Sequence, residues 1–467
     1  MNPNLPFFLL FILCSVCGLA QEDVLVVESI RFEGLSHTKL RTAERELNIR
    51  VGDTIHQRNL TERLEANRLL LLNSSLFNEV TLNVTDWQQP SNRIGITATV
   101  VETHYFYPVP VAALVDRNFN VWWNDFDHSL RRVNFGGILY HTNLTGRRDN
   151  LKAMAQFGYS QRYQLRYRLP GINRAQTLGT EVELFYQRNR EIGYATIDNE
   201  LVFQRTDDRY LLRRFRGSAA LTYRPGLRTY HSAGLQYRDF RVDDLVDEGL
   251  NDDFLLRGNR QQYLSLFYTL EADQTDVRPY PTAGYRFLGE LRKDGLGLFD
   301  DVNSATVRGN FRYFLPISEK WSSELGVGAK YQFVREQQPY YLLSRALGYE
   351  DDYLRGYEYY VIDGQDYAYA KQTLRFRLRD KSVTYGKIMP LQSMRTMPYR
   401  IYLKGFADQG YVNNPYYSTG NNFSNRTLYG YGFGLDLVLY YNFVFQFEFS
   451  FNHTGESGLY LHTALAF

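Results

Sequence analysis

Residues 443–452 read FVFQFEFSFN, with a phenylalanine at every second position. Successive side chains of a β-strand point to opposite faces, so the phenylalanines share one face of this stretch. The other face carries Val444, Gln446, Glu448, Ser450 and Asn452. One aromatic face and one largely polar face predict a strand whose two sides meet different environments.

The same alternation recurs through most of the chain, and no convincing helical period interrupts it. Arginines often fill the polar side, as in residues 162–168 and 373–379. The alternating segments lie near residues 108–116, 132–141, 148–160, 162–169, 177–190, 211–224, 229–242, 259–272, 283–294, 305–313, 320–334, 368–380, 399–410, 427–440, 443–452 and 458–467. The 363 residues from 105 to 467 leave about 23 for each strand with its connection, which suits tilted membrane strands of about 9–11 residues.

Two architectures alternate in this way, a soluble β-sandwich and a transmembrane β-barrel. A sandwich buries its apolar side in a shared core and rarely needs arginine ladders on the other side. A membrane barrel needs an apolar outer face and tolerates a charged lumen, and its closed sheet satisfies every backbone group. The sequence therefore predicts an all-β transmembrane barrel of about 16 antiparallel strands. Pro170-Gly171 and Pro225-Gly226 predict short turns, and the polar stretches 191–210 and 243–258 predict long loops.

Composition excludes several other classes of protein. The chain has 467 residues and a formal net charge of +2, whereas a nucleic-acid-binding surface needs a basic excess. After residue 20 no apolar run reaches the roughly 18 residues of a membrane helix, which excludes a helical membrane protein.

Residues 1–20 have the pattern of a secretory signal peptide. An apolar stretch ends at Gly18-Leu19-Ala20, where small residues predict cleavage before Gln21. Both cysteines, Cys14 and Cys17, fall inside this segment. We therefore expect a mature chain without disulfides, thiolate metal sites or cysteine nucleophiles.

Residues 21–104 predict a small α+β domain in the order β-α-α-β-β. Val26 to Phe32 alternates as a strand, and Ser36 is placed to cap a helix with Leu40 and Ala43 on its buried side. A second helix and two strands, near 77–84 and 93–102, complete a sheet with helices over one face. Such a module binds or scaffolds, and its sheet edge could accept a partner strand.

The mature chain as a whole resembles the BamA/TamA superfamily of outer-membrane assembly and translocation proteins, whose N-terminal module is called POTRA. The resemblance is carried by the module's element order and by three motifs of the barrel. Asp273-Gln274-Thr275-Asp276 with Pro281-Thr282-Ala283-Gly284 resembles the family's turn into a central strand. The other two are Leu354-Arg355-Gly356-Tyr357 and Phe406-Ala407-Asp408-Gln409-Gly410.

The resemblance implies a contact between the last two motifs, with a loop near 335–367 folded back into the barrel. Alternation places Tyr402, Lys404, Phe406 and Asp408 on the lumen side of their strand. A shielded aspartate favours a cationic partner, and an arginine can bind it with two parallel hydrogen bonds. We therefore expect an Arg355–Asp408 contact, with Gly356 close to the wall and Tyr357 stacked on Phe406 or a neighbouring ring. Gly410 is the last residue of the motif that begins at Phe406.

The last strand resembles the C-terminal recognition signal of outer-membrane barrels. Leu461, Leu465 and the terminal Phe467 share its apolar face. The resemblance implies a protein of a Gram-negative-type outer membrane, with the POTRA-like module in the periplasm and a weak seam between the first and last strands. Pro108 and Pro110 deprive the first strand of two backbone donors.

The favoured function is assembly or translocation of polypeptides, without chemistry of its own. The implied partners are membrane lipids, unfolded outer-membrane or secreted client chains, and periplasmic or lipoprotein accessory factors. A single module, where the family's principal insertase has several, favours a specialised or accessory member. A passive porin and a barrel lipase remain as alternatives, although no G-x-S-x-G is present and His453 and His462 suit the lumen or interface. No cofactor, metal or catalytic residue is predicted.

Overall fold

The computed structural model of the chain describes residues 24–88, 91–114, 133–278, 280–299, 302–335, 340–349, 352–386, 389, 395–416, 420–440 and 443–465. The predicted signal peptide and the terminal Phe467 lie outside these residues. Within them, no helix combines the length and apolar character needed to span a membrane.

The N-terminal module is a four-stranded sheet with two helices. Its elements are β1 (Val24–Glu33), α1 (Leu40–Arg45), β2 (Thr54–His56), α2 (Leu60–Asn73), β3 (Phe77–Gln88) and β4 (Arg93–Glu102). The sheet order is β2-β1-β4-β3, with β1 parallel to β4 and the other pairs antiparallel. Leu71, Phe77 and Val100 belong to one core cluster, and Leu25 and Ile96 belong to another. Strand β2 was not expected, since three residues are too few to show a period.

The predicted helix cap at Ser36 is wrong. Helix α1 begins after Lys39 and has no side-chain cap. Ser36 instead donates its hydroxyl hydrogen bond to Glu102, at 2.6 Å. The Glu102 carboxylate also accepts the backbone N–H groups of His37 and Thr38, so this one side chain satisfies three donors at the turn.

The rest of the chain is built from strands. They are β5 (Phe106–Leu114), β6 (Val133–His141), β7 (Asn150–Gly158), β8 (Gln161–Leu169), β9 (Leu178–Asn189), β10 (Glu191–Ile197), β11 (Glu200–Arg205), β12 (Leu212–Tyr223), β13 (Thr229–Val242), β14 (Arg260–Asp273), β15 (Gly284–Asp294), β16 (Ser304–Pro316), β17 (Trp321–Val334), β18 (Arg345–Leu347), β19 (Ile362–Asp363), β20 (Asp366–Thr384), β21 (Thr396–Asn413), β22 (Thr427–Leu439), β23 (Phe443–Asn452) and β24 (Ser457–Leu465). Sixteen of them form one antiparallel sheet, which confirms the predicted barrel and strand number.

Burial along β21 shows the predicted sidedness of the barrel wall. Tyr402, Lys404, Phe406 and Asp408 are buried, while the side chain of Leu403 between them is 44% exposed. The exposed side chains along the sheet include many leucines and aromatics, as expected of a face that lipid covers.

Two stretches predicted as plain loops contain structure of their own. Strands β10 and β11 pair with each other as a separate hairpin within residues 191–210. Residues 243–258 include a short helix, α3 (Asp244–Asp247), capped by Asp243. Their polar composition hid both elements. The connection from β17 to β20 also carries a small pair, β18 with β19.

Candidate functional site

The connection between β17 and β20, which we call the inner loop, reaches Asp408 on the wall strand β21. Arg355 meets the Asp408 carboxylate through two side-chain nitrogens, with Nε 3.0 Å from Oδ2 and Nη2 2.5 Å from Oδ1. The Arg355 backbone N–H also donates to Oδ2, at 3.0 Å. The Asp408 side chain is fully shielded from solvent and that of Arg355 is 9% exposed. A buried carboxylate is thus matched by a planar donor fork and one backbone donor.

The remaining faces of the Arg355 guanidinium are also occupied. Its Nη1 donates to the Thr373 hydroxyl on β20, at 3.0 Å. Its carbon lies 4.0 Å from the centre of the Phe406 ring, a cation–π distance. The ring of Phe406, which was one of the two expected partners of Tyr357, therefore packs against the arginine.

Tyr357 and Leu354 anchor the inner loop on either side of Arg355. The Tyr357 ring packs edge-on against Phe423 at 5.4 Å, and its hydroxyl donates to the Tyr429 carbonyl and contacts His453. Leu354 is almost fully buried and belongs to the same apolar cluster as Tyr357 and Phe423. Apolar packing on both sides of a charged contact keeps water away from it.

Glycines allow the loop and the wall to approach closely. Gly356 has φ +91°, which side-chain-bearing residues rarely adopt, and a Cβ there would lie 2.6 Å from the Phe451 carbonyl oxygen. On the wall, a Cβ at Gly410 would meet the Leu354 side chain at 2.6 Å. Gly430, which sequence reasoning missed, faces the Arg355 carbonyl so closely that a Cβ would overlap it at 1.8 Å.

A buried charge network continues from Asp408 along the wall. Arg355 lies 3.9 Å from Glu448, which pairs with Lys404 at 2.5 Å. Lys404 also pairs with Asp436 at 2.6 Å, and neither side chain is more than 1% exposed. Strand alternation placed Lys404 and Asp408 in the lumen, but no sequence signal indicated which charges they meet.

The turn between β14 and β15 extends this network to the other side of the interior. Its Tyr280 donates to Asp436 at 2.6 Å, and its ring lies tilted against that of Tyr402, with the ring centres 4.7 Å apart. At the base of the turn Asp276 accepts both the backbone and the hydroxyl of Thr282. The motif around Asp276 and Thr282 indicated the family resemblance in the sequence. It gave no sign that Tyr280, within the same turn, reaches Asp436.

The N-terminal module contacts the end of the barrel at which the turn between β14 and β15 lies. Glu46 binds Arg224 through two bonds of 2.6 and 2.7 Å and Arg148 at 3.0 Å, with both arginines from barrel turns. Burial alone would raise the pKa of Glu46, but the two arginines outweigh it and lower that pKa from 4.5 to about 2. Asn73 at the end of α2 donates to the Asp276 carbonyl at 2.8 Å, so the module also contacts the turn that carries Tyr280.

The C-terminal candidate residues are described in part. Leu461 is 59% exposed in β24, and Leu465 pairs in register with Phe443. Phe467 lies outside the described residues, so the recognition signal stays a prediction.

Comparison with known proteins identifies the family. The Omp85 superfamily domain matches residues 143–456, and a POTRA model described as a surface antigen variable number repeat matches residues 25–103. The first match covers about two thirds of the chain, so the chain belongs to the Omp85 superfamily. It is therefore an outer-membrane protein of a superfamily whose members are assembly and transport factors rather than enzymes, which handle polypeptide clients and contact lipid.

Solved structures show the same fold at low identity. BamA from Haemophilus ducreyi lacking POTRA domains 1–3 is 15% identical, with a TM-score of 0.52 over 94% of this chain and 84% of that one. CdiB from Escherichia coli is 13% identical, with a TM-score of 0.56 over 95% and 76% of the two chains. A search of curated protein sequences found no match.

Proposed function

We propose that the module, residues 21–104, receives unfolded outer-membrane or secreted client chains in the periplasm. The barrel unit, residues 105–467, then passes them into or across the outer membrane. The observation that carries this proposal is the outer edge of β3. This strand lies at the end of the order β2-β1-β4-β3, and among the described residues it pairs on one side only, with β4.

Strand β3 suits the addition of a client strand. It is twelve residues long, and Thr81 and Asn83 expose their side chains while Val80 is buried in the module core. Backbone groups along such an edge bind an extended chain without requiring a particular client sequence. A module that handles unfolded clients needs this tolerance.

The ends of the barrel sheet support the second half of the proposal. Strands β5 and β24 stand at the two ends of the order, so closure of the barrel depends on their junction. Pro108 and Pro110 in β5 lack the backbone donors that a strong junction would use. The Arg355–Asp408 contact meanwhile keeps the inner loop inside, so we assign it the role of setting the shape of the wall.

Site-specific photocrosslinking tests the proposal. A photoreactive phenylalanine analogue at Asn83, in the intact chain, should capture unfolded polypeptides in the periplasm. The matched control carries the analogue at Glu62, which is exposed on α2 away from the strand edge. Equal capture at the two positions, or none at Asn83, would contradict strand addition at β3.

A passive anion channel is the second candidate, favoured by a cation-rich cavity of about 710 Å³ inside the barrel. Its basic lining residues are Arg162, Arg214, Arg216, Arg238, Arg292, Arg308, Lys330 and Arg345. Conductance in a planar bilayer separates the two candidates. An open anion-selective pore in the wild-type chain supports the channel, whereas a pore that appears only after the inner loop is displaced supports the first proposal.

A further inference from the structure

Three possible metal ligands converge where the inner loop meets the last two strands. They are Glu358 of the loop, Glu448 of β23 and His462 of β24. One donor atom from each lies within 4.8 Å of the other two. The Glu448 side chain is 4% exposed, that of Glu358 9% and that of His462 26%.

The converging donor atoms lack hydrogen-bond partners among the described residues. They are Glu358 Oε1, Glu448 Oε2 and His462 Nε2, and all three are shielded from solvent. The other carboxylate oxygens are occupied, since Glu358 Oε2 accepts the Gly356 N–H at 2.7 Å and Glu448 Oε1 pairs with Lys404 at 2.5 Å. Buried polar atoms are normally satisfied, and a shared cation would satisfy these three together.

The distances fit a shared cation better than direct hydrogen bonds. His462 Nε2 lies 3.4 Å from Glu448 Oε2 and 3.8 Å from Glu358 Oε1, beyond the usual range for a hydrogen bond. Zinc binds nitrogen and oxygen at about 2.0–2.2 Å in tetrahedral geometry, which places neighbouring ligand atoms roughly 3.4 Å apart. Small side-chain adjustments would bring all three donors to that spacing.

Carboxylates outnumber permanent cations in the ion pairs around these three residues. The connected carboxylates are Glu358, Glu448, Asp408 and Asp436, and their permanent cations within ion-pair distance among the described residues are Arg355 and Lys404. A third cation, Lys371, lies 4.4 Å from the centre of the Tyr353 ring, which stacks on His462 at 5.2 Å.

We propose that Glu358, Glu448 and His462 bind a divalent transition-metal cation of the zinc type, with the fourth position open to water. Two carboxylates and one imidazole suit this class of ion, and Glu448 also lines a lumen cavity of about 500 Å³. The bound ion joins the inner loop to β23 and β24. It therefore fastens the last strand, next to the junction with β5, to a part of the chain far away in sequence.

Equilibrium dialysis of the purified, untagged full chain in detergent against zinc chloride tests the site. One zinc ion per chain should bind to the wild type. Glu358→Gln and His462→Gln should each weaken binding by more than about 100-fold, because even an outer-sphere partner of a metal ligand is worth about 10- to 100-fold. His462→Cys should retain binding, since a thiolate also ligates zinc.

The control variant is His56→Ala, which removes an exposed histidine of the module and should leave zinc binding unchanged. Circular dichroism confirms that each variant is folded. No stoichiometric binding by the wild type, or binding that survives both glutamine substitutions, would overturn the proposal. No client is present in this measurement, so its outcome is independent of the proposed function.

Discussion

Glu46 and Asp408 are both buried carboxylates held by arginine, but they join different parts of the molecule. Glu46 connects the module to the barrel and is bound by two arginines, Arg148 and Arg224. Asp408 connects the inner loop to the wall and is bound by Arg355, which Glu448 also approaches. Two arginines thus surround one carboxylate at the junction, whereas at the loop contact one arginine faces the two carboxylates of Asp408 and Glu448.

This difference indicates which contact tolerates change. A buried ion that loses its partner is strongly destabilising, at about 3–5 kcal/mol, because its charge stays out of water. At the junction, Glu46 keeps a second arginine if either Arg148 or Arg224 loses contact with it. At the loop, Arg355 is the one cation within ion-pair distance of Asp408 among the described residues, and it is enclosed by Phe406 and Thr373. We therefore expect the loop contact to be the more sensitive of the two.

The largest effect is expected from charge reversal at the loop contact. Asp408→Arg places two arginines together in a buried site and should release the inner loop, at a cost of at least about 3–5 kcal/mol. Protease resistance of residues 340–365 in membrane-embedded protein measures the release. Combining Asp408→Arg with Arg355→Asp should restore part of that resistance.

The control for this prediction is Asp380→Arg, which reverses an exposed aspartate on β20. It should leave the loop protected, since exposed ion pairs contribute at most about 1 kcal/mol. Wild-type protection in both Asp408→Arg and Arg355→Asp would remove the assigned role of the contact.

A smaller effect is expected at the junction from Glu46→Gln. The lowered pKa of Glu46 corresponds to roughly 3 kcal/mol in favour of its ionised form, which the amide forfeits. Spin labels on cysteines at Arg58 and Lys320 should report a broader module-to-barrel distance distribution. Glu62→Gln, on an exposed part of α2, should leave the distribution narrow, and a narrow distribution in both variants would contradict the prediction.

Acid should reproduce the Glu46→Gln effect in the wild type. The docked carboxyl has its pKa lowered from 4.5 to about 2, so its stabilisation is present above about 4.5 and is lost as pH falls through about 2. The same spin labels should show broadening across this interval. Glu46→Gln should show no further change there, and a wild type that is insensitive down to pH 2 would argue against Glu46 as the main junction contact.

The smallest effect on stability is expected at Tyr280, because its turn contacts both the N-terminal module and the charge network of the loop contact. Tyr280→Phe removes the hydrogen bond to Asp436, which keeps Lys404 as a partner, so the free energy of unfolding should fall by about 1.5 kcal/mol. The midpoint of denaturant unfolding in detergent measures it. Tyr285→Phe, which removes the hydroxyl of a side chain 39% exposed on β15, is the matched control and should leave the midpoint unchanged.

The barrel could be predicted from sequence because strand alternation is local and repeats along the chain. The Phe443–Phe451 face and the buried side of β21 follow from a two-residue period alone. The short strand β2 and the β10–β11 hairpin were missed, since three residues carry no period and polar composition resembles a loop. Ser36 was assigned to a cap because its spacing fitted, but Glu102 arrives from 66 residues away to take its hydroxyl.

By itself, the sequence determined which side chains face the lumen, how many strands cross the membrane and which short motifs resemble a family. Only the tertiary structure decided which lumen charges meet, how Tyr280 reaches Asp436, and that Glu358, Glu448 and His462 share one space. The physical reason is that alternation assigns a side chain to a face, whereas a pairing across the interior depends on the curvature of the closed sheet and on the path of a loop. Neither of these is encoded in the spacing of neighbouring residues.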